Sequence, residues 1–244
     1  MSKLIVQQAL SHLVDDLKAT HGENLASVVL YGSAAAGDSV ELRSDYNLLI
    51  ALHRIGPEDL RLAQPPMREW QRLGHPLPVY FTVEELSDAA DVFPIEFYQM
   101  ENARIVLFGN DPFAFVTLSD ANLRHQTEYE LRSKLIQLRR LYIPASTSIE
   151  KLCDLMSDSL ASFAALFRAV LLLHGKSAPV AKADCVRATA DLLRLDQSPF
   201  EQIFRFRMSD QLPDTEEEAN AIFAAYLNQI QTVIEAVDEM SVGT

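Results

Sequence analysis

The chain has 244 residues, 48% of them hydrophobic and 23% charged, a soluble globular composition with room for one large domain or two modest ones. Acidic residues outnumber basic ones 34 to 21, for a formal net charge of -13, so the surface repels phosphate backbones and nucleic acid is a poor default partner. The N-terminal "MSKLIVQQALSHLVDDL" turns acidic too early for a signal peptide. The most apolar stretch, "LASFAALFRAVLLLHG", is broken by Ser162 and Arg168 and reads as a buried core helix rather than a membrane span. Cys153 and Cys185 have no metal-site spacing and read as free thiols in a reducing cytoplasm.

In chain order, residues 3–21 place Ile5, Leu10, Leu13, Val14 and Leu17 at helical spacing, with Gly22 as the stop. "LASVVLYG" reads as a strand and "DYNLLIALH" as a second. After Gly56-Pro57, "PEDLRLAQPPMREWQRLG" is helical on both sides of Pro65-Pro66. "LPVYFTV" predicts a third strand and "VEELSDAADVF" a short helix. "PIEFYQM" is a strand-like run, and "ARIVLFG" another apolar stretch before the break at Gly109-Asn110-Asp111-Pro112. Past residue 118 the pattern becomes helical throughout: a long helix with Asp120 as candidate cap, a second ending at Gly175, then three more, with starts at Ser198-Pro199 and at Asp214-Thr215. The expectation is an α+β fold, with a mixed N-terminal domain over residues 1–116 and an all-helical bundle over 117–244.

One segment carries chemistry. In "VVLYGSAAAGDSVELRSDYNLLIAL", Gly32 follows a strand, which allows a tight turn and lets phosphate oxygens approach backbone N–H groups. Ser33 adds a hydroxyl. Asp45 and Asn47 are two apart in the next predicted strand and therefore share a face, where oxygen ligands beside a phosphate are what Mg²⁺ requires. The alternative reading of the same residues is a Ser-Asp turn at a strand start.

The segment resembles the signature of the nucleotidyltransferase superfamily that includes DNA polymerase beta and the aminoglycoside nucleotidyltransferases: an apolar strand, Gly-Ser, a short loop, then Asp-x-Asp on a second strand. The helical C-terminal half is similar in layout to the aminoglycoside adenylyltransferases. The resemblance implies that Gly32 and Ser33 hold nucleotide phosphates, that Asp45 and Asn47 bind Mg²⁺, and that a third carboxylate follows on a later strand. "LPVYFTV" has none, and Glu84 and Glu85 sit at a helix start. Glu96, between Ile95 and Phe97, is the choice for third metal ligand or general base, the alternative reading being an edge-strand glutamate that faces water. The departure from the family is Asn47, where the second Asp is expected. An amide can coordinate Mg²⁺ through its carbonyl oxygen but contributes no charge to offset a dication.

Two functions follow from the resemblance. One is Mg²⁺-dependent transfer of a nucleoside monophosphate from a nucleoside triphosphate, ATP first among them, to a hydroxyl acceptor, for which the acidic balance would suit a small cationic molecule. The other is a catalytically degenerate version of the fold that binds nucleotide in a regulatory or assembly role.

Overall fold

In a computed structural model, residues 3–32, 34–35, 46–179, 181–209 and 212–240 are described. The chain divides into two compact units, Met1–Leu118 and Ser119–Thr244.

In the first unit, helix α1 (Lys3–His21) leads through a short 3-10 turn to strand β1 (Leu25–Tyr31). Strand β2 (Asn47–Leu52) follows, then helices α2 (Pro57–Leu62) and α3 (Gln64–Arg72), strand β3 (Val79–Thr82), helices α4 (Val83–Asp88) and α5 (Pro94–Asn102), and strand β4 (Arg104–Gly109). The strands form one mixed sheet in the order β3-β2-β1-β4; β1 runs antiparallel to β2 and β4, and β2 runs parallel to β3. The central strands are apolar on both faces because both faces are covered. On one face Val28, Leu30, Leu48, Ile50 and Leu52 pack with Leu10, Leu13 and Leu17 of α1 and Met67 and Trp70 of α3. On the other, Val29, Leu49 and Ala51 meet Leu86 of α4, Phe97 and Met100 of α5, and Phe113.

Local chemistry sets the element ends. The predicted interruption at Pro65-Pro66 is a break at Ala63, with the prolines accommodated in the first turn of α3, where a missing N–H costs little. Thr82 caps α4: its hydroxyl accepts from the Glu85 N–H at 3.0 Å, and the Glu85 carboxylate accepts from the Thr82 N–H at 2.7 Å. At the end of β4, Gly109 has φ +77°, and a Cβ there would lie 2.0 Å from the Ala26 carbonyl oxygen, so only glycine lets β4 close on β1.

The strand-like run "PIEFYQM" is a helix, α5. Ile95 and Phe97 flanking an exposed Glu96 imitate the two-residue period of a strand, but Phe97 and Met100 are buried while Glu96 and Gln99 are exposed, a helical spacing. Pro94 sits in the first turn, and Glu96 there faces the positive end of the helix dipole.

The second unit is built from α6 (Asp120–Ala145), α7 (Ile149–Leu173), α8 (Lys182–Leu193), α9 (Ser198–Ser209) and α10 (Glu216–Asp238). Asp120 is the first helical residue rather than the cap, which is Ser119. By length and composition alone α7 could cross a membrane, but it packs against α6, α8, α9 and α10 and buries Leu152, Met156, Phe163, Phe167 and Val170, as expected of a core helix. Buried Tyr226 of α10 shares a 3.0 Å hydrogen bond with the Ser159 hydroxyl, so the core keeps its polar atom satisfied. The Arg168 guanidinium lies close enough to Cys185 to act on its thiol. Burial outweighs that effect, and both cysteine thiols are pushed up to about 11.

Candidate functional site

Antiparallel neighbours point to the same face of a sheet. Asn47, Tyr31 and Arg104 form such a row across β2, β1 and β4, on the face that α5 covers. Tyr31 and Asn47 are half-buried, at the end of β1 and the start of β2. Gly32 follows with φ +80°, the left-handed conformation that glycine alone adopts without strain. A Cβ on Gly32 would lie 3.4 Å from Asn47 Nδ2, so the Asn47 amide leans directly over the glycine.

The backbone of Gly32 is already committed. Its N–H donates to the Ala103 carbonyl at 3.0 Å, extending the β1–β4 pairing, and its own carbonyl accepts from the Ala35 N–H at 3.0 Å. This corrects the expectation that a phosphate oxygen approaches the Gly32 N–H. What glycine supplies here is the turn itself and the room for Asn47. Ser33 and Asp45, the predicted phosphate-binding hydroxyl and the leading metal ligand, lie outside the described residues.

Glu96 is brought to this end of the sheet, though from a helix. It stands exposed in the first turn of α5, one residue before Phe97, which packs beneath the same face. The Tyr31 phenol is held above its ordinary pKa, first by burial and then by the nearby Glu96 carboxylate. Tyr31 is thus the cross-strand neighbour of Asn47 and lies within electrostatic reach of Glu96. On β3, Val79 and Phe81 align with Leu49 and Ala51 on this face, and β3 contributes no carboxylate. Glu85 is used in the α4 cap, as its place at a helix start suggested.

Could these groups hold Mg²⁺? The Asn47 carbonyl oxygen and the Glu96 carboxylate are hard oxygen donors of the right kind. No group of three or more His, Cys, Asp or Glu suited to a metal occurs among the described residues.

Sequence reasoning passed over Tyr31, Arg104 and Asp111. The Arg104 guanidinium donates to Asp111 through Nε and Nη2, at 2.8 Å for the shortest bond, and through Nη1 to the Glu101 carbonyl at 2.8 Å. Asp111 is held below the ordinary carboxylate range, chiefly by the hydrogen bond from Arg104. The signal was a lone arginine at the head of "RIVLFGND" with an acid seven positions on, which no periodicity rule singles out.

No family model and no curated protein matches this sequence. Among solved structures, the chain is similar to spectinomycin adenyltransferase AAD(9) from Enterococcus faecialis, solved with ATP and spectinomycin. The two share 13% identity and a TM-score of 0.55, over 90% of this chain and 98% of the other. The likeness is one of fold: an α+β nucleotidyltransferase fold, with a mixed sheet in the N-terminal half and helices in the C-terminal half.

Proposed function

We propose that this protein is a nucleotidyltransferase, moving a nucleoside monophosphate from a nucleoside triphosphate, ATP first, to a hydroxyl of a small acceptor. The observation that carries the proposal is the arrangement of Gly32, Asn47, Tyr31 and Glu96 at one end of the sheet, in a chain with the fold of an ATP-bound adenyltransferase. The acceptor hydroxyl oxygen would form a bond to the α-phosphorus as the bond to the β-phosphate oxygen breaks and pyrophosphate departs. Glu96 would take the hydroxyl proton as general base. Asp45, Asn47 and Glu96 would hold Mg²⁺, whose chemistry is to offset charge on the phosphate oxygens. Ser33 would donate its hydroxyl to the β- or γ-phosphate. The acidic surface favours a small cationic acceptor, and the structural neighbour was solved with spectinomycin. The buried free cysteines suit a reducing cytoplasm.

A second reading, nucleotide binding without turnover, is favoured by Asn47 and by the lack of a carboxylate on β3. The two part at one residue. Mg-ATP at a hundredfold excess over its Kd should stabilise the wild type by about 2.7 kcal/mol, and Asp45→Ala should remove the shift. Silence toward every nucleoside triphosphate, with Mg²⁺ or Mn²⁺, overturns both readings. Pyrophosphate release with an aminoglycoside or other polyol panel supports the enzyme. Release only after Asn47→Asp supports the degenerate binder.

A further inference from the structure

The groups that fix the Gly32 turn lie outside it. Gly32 is placed by its N–H bond to the carbonyl of Ala103, the residue joining α5 to β4. Ala103 is bracketed by two fixed positions, one held by the Arg104 side chain and one by the Arg104 backbone. On one side the guanidinium donates to the Glu101 carbonyl at 2.8 Å, holding the last turn of α5. On the other, Arg104 opens β4 directly opposite Tyr31. The guanidinium then reaches forward to Asp111, with bonds of 3.2 and 3.1 Å from Nε and 2.8 Å from Nη2, and lies 5.3 Å from the centre of the Phe113 ring. Asp111 is fixed in turn by the Phe113 N–H at 3.0 Å, and Phe113 packs edge-on to Phe97 of α5.

We infer that Arg104, clamped by Asp111, is a positioning residue for the nucleotide-binding turn, a role that rests on the function proposed above. The pair sits within a continuous chain of contacts: Gly32 to Ala103, Arg104 to Asp111, Phe113 to Phe97, and along α5 to Glu96. Arg104 and Asp111 are only 21% and 33% exposed, so the pair is shielded far more than a surface ion pair. The task needs a planar guanidinium. One group must meet a carboxylate with two nitrogens and a carbonyl with a third, while lying over an aromatic ring. A lysine ammonium, a point charge on a flexible stem, can serve one of these at a time. A pair present only for stability would alter unfolding while leaving the nucleotide affinity of folded molecules unchanged.

The test uses the full chain with Arg104→Lys and, separately, Asp111→Asn, at a temperature where each is fully folded. Two quantities are read: hydrogen exchange at the Gly32 amide without ligand, and Mg-ATP affinity by calorimetry. Loss of a charge-assisted hydrogen bond should speed Gly32 exchange about tenfold, with α1 and the helices of the second unit unchanged. Mg-ATP affinity should weaken by about tenfold as well. Unchanged Gly32 exchange in both variants overturns the inference, and so does wild-type Mg-ATP affinity in folded Arg104→Lys. Should Arg104→Lys not fold, Asp111→Asn carries both measurements. If wild type itself binds no nucleotide, the proposed function fails, while the clamp's hold on the turn is decided by the exchange rates alone.

Discussion

On the sheet face covered by α1 and α3, two polar groups are sealed in. His21 is 8% exposed, and neither its ring nitrogens nor the Tyr80 hydroxyl has a hydrogen-bond partner among the described residues. On the face covered by α4 and α5, the polar side chains gather at one end, with Tyr31 and Asn47 half-buried and Glu96 exposed. Both faces bury an apolar layer around the same two strands, the larger one on the α1–α3 side. The difference shows what a polar group is for. Sealed without a partner it only costs stability, whereas left within reach of solvent beside a glycine turn it can meet a ligand.

The largest test of this contrast uses one aromatic from each layer. Trp70 is 1% exposed against the first face and Phe97 1% exposed against the second. Truncating either to alanine should cost about 3–5 kcal/mol in urea unfolding, from lost burial plus the cavity left behind. Their effects on nucleotide should diverge. At low temperature, folded Trp70→Ala should keep the Mg-ATP shift. Phe97→Ala should lose most of it, because Phe97 seats the helix that carries Glu96 and ends at Ala103. Equal loss of the shift in both variants would erase the functional distinction between the faces.

Much of this arrangement was legible in the sequence. β1 and β2 announced themselves as apolar runs, and Gly32 as a turn, because a central strand and a left-handed glycine leave strong local marks. α5 was misread because the order Ile95-Glu96-Phe97 alternates like a strand, and only Met100, three residues past Phe97, breaks the tie. The commitment of the Gly32 N–H to Ala103 was invisible, because register between strands far apart in sequence is a tertiary fact. Tyr31 hid for a related reason. An aromatic at the end of an apolar strand looks like core until the cross-strand partner Asn47 and the covering helix show what it faces. Gly-Ser and a following Asp are common in turns, so pattern alone left their role open; the nucleotidyltransferase resemblance made them candidates, and Ser33 and Asp45 lie outside the described residues.

Acid should separate the faces by pH window. Burial lowers the pKa of His21, with the nearby Asp59 carboxylate opposing in part. The folded state therefore binds its proton less readily than the unfolded chain. The stability that comes with a neutral His21 is full above the unfolded value of about 6.5. It is lost as pH falls below that value and through the lower folded pKa. Asp111 also has a lowered pKa, but its contribution is complete above the ordinary Asp value of about 3.9 and is lost only below it. Urea midpoints measured downward from neutral pH should show a first decline that His21→Leu removes and Asp111→Asn leaves in place. His21→Leu should also raise stability at neutral pH by about 1 kcal/mol, since it replaces an unpaired buried polar ring with an apolar side chain. A first decline that survives His21→Leu would place the titrating group elsewhere.

The smallest effect comes from deleting one oxygen on each face. Tyr80→Phe removes a buried hydroxyl that no described residue satisfies, on the inner side of β3. Nothing is lost but a desolvation cost, so stability should rise by up to about 1 kcal/mol with nucleotide binding untouched. Tyr31→Phe removes a hydroxyl on the face where Asn47 is the cross-strand neighbour and Glu96 acts on the phenol. Its ring still packs with Val29 and the α5 layer, so stability should move by less than about 0.5 kcal/mol. Mg-ATP affinity should fall by about threefold to tenfold, the range of one hydrogen bond lost at a ligand site. The two variants differ from wild type by the same atom on opposite faces of one sheet. If Tyr31→Phe binds Mg-ATP as wild type does, while Tyr80→Phe weakens it, the working face has been assigned to the wrong side of the sheet.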